Sequence, residues 1–141
     1  MAAPCKSPDT MAKKKPEVRI NHWGIYTPWE HGSKELPELI KVTHDIPCEL
    51  GIEFGYTVTI KKAKNRKLQY CIYHPKIPDE DGQPLAPFAG EEYIRQNDWN
   101  FFIGDTIWAP VENKAGPWRI TLAIDGELIA DKTFNLILSE P

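Results

Sequence analysis

Thirteen prolines spread along 141 residues leave few stretches in which a helix of ordinary length can run uninterrupted. Between them, apolar side chains recur at every second position. In "FGYTVTI", Phe54, Tyr56, Val58 and Ile60 share one face while Gly55, Thr57 and Thr59 share the other, the pattern of a half-buried strand. "LQYCIYH" repeats it with Leu68, Tyr70 and Ile72 before Pro75 stops the run. The intervening "KKAKNRK", residues 61–67, is expected to be the basic tip of a hairpin joining these two strands.

The C-terminal third sets a sharper geometric condition. Trp118, Ile120 and Leu122 share one parity, and so do Leu128, Ala130, Phe134, Leu136 and Leu138 after "DG" at 125–126. A plain two-residue turn would throw Phe134 onto the face opposite Trp118, because a one-residue slip exchanges the two faces of a strand. A three-residue loop, Ile124-Asp125-Gly126, keeps every large apolar residue on one side and is the expectation. The rival is a two-residue turn with a bulge near Ile129–Lys132. Further strands are expected at 17–26, with Val18, Ile20 and His22 alternating before Gly24, and at 38–46, with Ile40, Val42, His44 and Ile46 alternating. Residues 98–110 read as one long strand kinked at Gly104 or as two short ones. Residues 75–97 read as a proline-rich crossing with one helical turn at 90–96. Seven or so short strands without βαβ alternation make an all-β antiparallel sandwich over 17–139, preceded by a disordered N-terminal tail over 1–16.

Net charge is −3, from 17 Lys/Arg and 20 Asp/Glu. Cys5, Cys48 and Cys71 form no CxxC pair, so neither a disulfide framework nor a zinc knuckle is written here. No window approaches the roughly 18 apolar residues of a membrane span. A cytoplasmic, reducing setting without membrane contact is expected. "MAKKKPEV", from Met11, reads like a bacterial beginning, and its lysines like a solubilising tail.

In "HDIPCELGIEFGY", residues 44–56, His44 and Cys48 lie close enough in sequence to raise the question of a nucleophile and its base. The joint between two strands explains more: Pro47 ends one strand, Ile46, Leu50, Ile52 and Phe54 plug the sandwich end, and Cys48 is a small buried spacer. His22, His31, His44 and His74 form no metal-binding spacing, and Asp79, Glu80 and Asp81 before Gly82 lack the calcium-loop pattern. No metal, cofactor or catalytic residue is expected. Five cations at 61–67 without stacking aromatics read as a solvated loop, so nucleic acid is not the expected partner.

Five tryptophans carry the functional hint. Trp118, Trp23 and Trp108 are expected to pack inward. Trp29, in "TPWEHGSKELPE", and Trp99, in "QNDWN", stand in polar surroundings, and with His31 they are the candidate ligand or partner surface. The expected function is a non-catalytic module that binds another protein, or a second copy of itself, through a sheet face, an edge or these loop tryptophans. The rival is a small-molecule or carbohydrate binder, or a weak hydrolase, with a pocket near Trp29, His31 and Trp99.

"WGIY" at 23–26, "THDIPCELGIEFGYTV" at 43–58, with its I-P-x-x-L-G-x-x-F-G motif, and "GPWRITLAIDGELIADKTF" at 116–134 together cover most of residues 18–138. In these the chain resembles a bacterial family of domains of unknown function. The resemblance implies an immunoglobulin-like sandwich and carries no activity with it. Val42 and Cys48 stand where the family pattern has Gln or Glu and a small residue, which speaks against Cys48 as a shared nucleophile.

Overall fold

A computed structural model of the chain describes residues 15–30 and 35–139. Its strands are β1 (Glu17–Tyr26), β2 (Leu39–Val42), β3 (Asp45–Pro47), β4 (Glu53–Lys61), β5 (Lys67–Tyr73), β6 (Phe88–Tyr93), β7 (Asp98–Thr106), β8 (Gly116–Ile124) and β9 (Glu127–Ile137), with a 3₁₀ turn at Val111–Lys114. They form a four-stranded sheet in the order β2-β1-β4-β7 and a five-stranded sheet in the order β3-β9-β8-β5-β6. Every pairing is antiparallel except β3 with β9. This is the all-β sandwich read from the sequence, with nine strands among the described residues in place of about seven.

The core is the meeting of two alternating rows. Phe54, Tyr56, Val58 and Ile60 on β4 and Trp118, Ile120, Leu122 and Ile124 on β8 are all buried. The Phe54 ring stands edge-on to Trp118 at 5.4 Å and to Phe134 at 5.8 Å, the arrangement that the ring quadrupole favours. The Tyr56 hydroxyl donates to the Ile120 carbonyl at 2.8 Å, tying the two sheets together, and burial pushes its pKa up.

Several expectations are corrected by the register. β4 and β5 lie in different sheets, so residues 61–67 are a crossover and not a hairpin tip. Lys62 and Asn65 take positive φ angles of 65° and 70°, and Ala63 is buried between them, which carries the chain from one sheet to the other. Three cations of this stretch are paired: Lys62 with Glu17, Arg66 with Asp125 and Lys67 with Glu91.

The β8–β9 connection is the rival form, a two-residue turn. Ile124 pairs with Glu127 and Ala123 with Leu128, while Leu122 pairs with Ala130, leaving Ile129 as a bulge. Asp125 and Gly126 have φ of 50° and 88°, as a type I′ turn demands. The bulge restores parity, so Trp118 faces Phe134 as required, but Leu128 is left 55% exposed.

A second bulge, at Asn21, turns His22 outward and Trp23 inward, so the alternation breaks there and not at Gly24. Residues 38–46 divide between two sheets as β2 and β3, leaving Ile40 and Val42 exposed. The helical turn expected at 90–96 is instead the strand β6, and 98–106 is a single strand. Leu50 does not plug the sandwich end; it is 68% exposed.

Gly24, Gly55 and Gly104 lie in one row across β1, β4 and β7. A Cβ on Gly55, whose φ is +154°, would sit 2.1 Å from the Ile103 carbonyl oxygen. Gly55→Ala is therefore expected to cost ~2–4 kcal/mol in urea denaturation, while Leu128→Lys costs less than ~0.5 kcal/mol. Comparable costs for the two would contradict the register described here.

Candidate functional site

The two flanks of the sandwich differ. On one, the chain passes from β2 straight to β3 through Thr43 and His44, joining the sheets there. On the other, β6 and β7 are the outermost strands of their sheets and are connected at one end by residues 94–97, where Ile94 is buried. Between them opens a cleft of about 740 Å³.

Its walls follow from strand parity. On β7, Trp99 and Phe101 pair with Ile60 and Val58, which face the core, so Trp99, Phe101, Ile103 and Asp105 form the inward row. On β6 the inward row is Phe88, Gly90 and Glu92, opposite Ile72, Tyr70 and Leu68 of β5. Gly90 makes room for Tyr70, whose hydroxyl would lie 2.4 Å from a Cβ at that position. Trp99 packs tilted against Phe101 at 5.0 Å, giving the cleft an aromatic floor.

The outer side of β7 is built differently. Phe102 is buried there between Tyr26 at 4.9 Å and Trp29 at 5.3 Å, both edge-on. The Trp29 indole N–H donates to the Glu35 carbonyl at 2.8 Å, and its backbone bonds to the Glu53 carboxylate. Burial raises the Glu53 carboxyl pKa, and the Thr106 hydroxyl, donating at 2.6 Å, and the Trp29 contact work against that rise. Trp29 and Trp99 thus border one cleft from opposite faces of β7. His31 lies outside the described residues, as does the stretch from Met1 to Lys14.

Acidic groups mark the cleft. Glu92 and Asp98 stand toward the 94–97 corner and Asp105 at the far end, with Arg95 the basic residue of the lining. Burial raises the Asp105 carboxyl pKa, opposed by the Thr106 backbone N–H, donating at 2.8 Å, and by the nearby His74. The His74 ring lies 4.6 Å from Phe88, its nitrogens facing the carbonyls of Pro75 at 2.7 Å and Ala86 at 3.0 Å. Of the residues lining the cleft, Trp29 and Trp99 are the two that the sequence marks as a candidate surface. The alternation Trp99, Phe101, Ile103, Asp105 was visible there, but it points to a site only once β6 is known to stand opposite.

His44 and Cys48 do not form a catalytic pair. The imidazole stacks with Trp23 and Phe134, each at 5.7 Å, while the Cys48 thiol donates to the Val111 carbonyl at 3.2 Å. Burial raises the thiol pKa, the opposite of what a nucleophile needs. The Asp79 carboxylate accepts backbone N–H groups of Asp81 and Gln83, which makes an acidic turn. Among the described residues no group of three His, Cys, Asp or Glu side chains is placed to hold a metal ion, and no helix is long and apolar enough to cross a membrane.

A family model described as "Domain of unknown function (DUF3859)" matches residues 14–136. The chain belongs to this family. Among solved structures, the chain is similar to an immunoglobulin-like protein from Pseudomonas aeruginosa, 23% identical with a TM-score of 0.68, the match covering 89% of this chain and 99% of that one. At that identity the likeness shows the fold, which is immunoglobulin-like. No curated protein matches the chain.

Because Asp105 holds its proton more tightly folded than unfolded, its contribution to stability falls as pH rises above the ordinary Asp value of about 3.9. Asp105→Asn is expected to raise the urea midpoint at pH 7, with the gain vanishing below about pH 4; a lower midpoint at pH 7 contradicts the burial of this carboxylate. In a Cys5→Ser variant, Cys71, which is half-buried, is expected to react with a thiol reagent well before the buried Cys48. Equal rates in the folded protein would contradict the packing of Cys48 against Val111.

Proposed function

We propose that this chain is a non-catalytic, cytoplasmic bacterial module that binds an extended polypeptide segment of another protein along the free edge of β7. One observation carries the reading: β7 is nine residues long, pairs with β4 on one side only among the described residues, and lies beside an open cleft. An edge strand presents a row of unpaired N–H and C=O groups, and a peptide added there gains main-chain hydrogen bonds while its alternate side chains enter the neighbouring cleft. The free thiols of Cys48 and Cys71 support a reducing compartment. A binder of carbohydrate or another small molecule at Trp29, His31 and Trp99 would use the aromatic floor but not the strand edge, and that difference separates the two readings.

Selection from a displayed library of random twelve-residue peptides against the folded chain is expected to yield sequences whose binding is abolished by backbone N-methylation at alternate positions. Binders that tolerate N-methylation at every position, or no binders at all, would sink strand addition.

A further inference from the structure

We infer that the segment received by β7 is basic, with Lys or Arg at the alternate positions that point into the cleft; this rests on the strand-addition reading above. A strand added to β7 continues the four-stranded sheet. Every second side chain therefore enters the space between the two inward rows, and the others lie over Phe102 on the outer face. The inward positions meet an aromatic floor of Trp99, Phe101 and Tyr70, with carboxylates at both ends of the opening.

Two carboxylates, Glu92 on β6 and Asp105 on β7, stand in the inward rows at opposite ends of the cleft, and Asp98, on the outer parity of β7, borders it at the 94–97 end; Arg95 is the one guanidinium of the lining. None of the three takes part in the four ion pairs among the described residues, which use Glu17, Asp125, Glu91 and Asp131. On β8 and β9, by contrast, Arg119 is matched across the strands with Asp131 at 2.7 Å.

A long cationic side chain suits this geometry in both of its parts. The aliphatic stem covers the aromatic floor, the charged head lies near the ring faces, and its end reaches the acidic rim. An acidic or purely apolar segment would leave these carboxylates repelled or desolvated without a partner.

The test uses three acetylated, amidated heptapeptides that share Thr and Val at alternate positions and carry Lys, Gln or Glu at the rest. Binding is followed through Trp99 fluorescence in the full chain, with Trp99→Phe as the control for the signal. The Lys peptide is expected to bind about tenfold more tightly than the Gln peptide, and the Glu peptide more weakly still. The advantage of Lys should shrink between low salt and 0.5 M salt. A double variant, Glu92→Gln with Asp105→Asn, should bring the Lys peptide to the level of the Gln peptide; its urea midpoint at pH 7 reports whether the variant is folded.

Equal binding of all three peptides, each lost on N-methylation, would overturn the basic preference while leaving strand addition standing. Failure of all three to bind would overturn both. Binding of the Lys peptide that survives N-methylation and is displaced by spermidine at similar concentration would show a site for a free cation, overturning both the strand and the peptide.

Discussion

Trp118 and Phe134 face each other across β8 and β9 because Ile129 is left without a cross-strand partner. A tight two-residue turn sets the hairpin one position out of phase with its own apolar pattern, and the single bulge puts it back. Without that correction Phe134 and Leu136 would point to solvent and Phe54 would lose the rings that hold it. The four-stranded sheet would then have no apolar surface to close upon. Asn21 performs the same operation on β1, delivering Trp23 to the interior, where Lys132 lies 3.8 Å from its ring centre.

Once the sheets close, their flanks are not equivalent. The link through Thr43 and His44 joins one pair of outer strands, and the C-terminal strand is held there by β3. On the opposite side the edge strands β6 and β7 are joined through residues 94–97, and aromatic side chains of their inward rows line the cleft between them. On the outer face of β7 Trp29 covers Phe102, and among the described residues no strand pairs with the β7 edge.

The parts of this fold legible in the sequence were those where alternation is uninterrupted. The β4 row from Phe54 to Ile60 and the shared face of Trp118 and Phe134 follow from period two alone, and the burial of Cys48 follows from the apolar run around it. What could not be read was where the chain changes sheet. Residues 61–67 look like a turn and 43–44 like the middle of one strand; a turn within a sheet and a crossing between sheets differ in dihedral angles at one or two residues, such as Lys62 and Asn65, which polar side chains do not announce. The strand β6 was hidden because Gly90 interrupts its apolar row to admit Tyr70. Asp105 and Glu92 were invisible as parts of one site because they belong to different sheets and line the same cleft at opposite ends.

The one parallel pairing among the described residues has a mechanical meaning. The Asn135 N–H bonds to the His44 carbonyl and the Cys48 N–H to the Ile137 carbonyl, both at 2.8 Å, so β3 is fastened to β9 at each end. Tension that enters at Asp45 from the N-terminal side and leaves beyond Ile137 pulls these two strands past one another lengthwise. The fastenings are then loaded together, as rivets in shear, instead of parting in turn as the bonds of an antiparallel hairpin do when peeled from its open end.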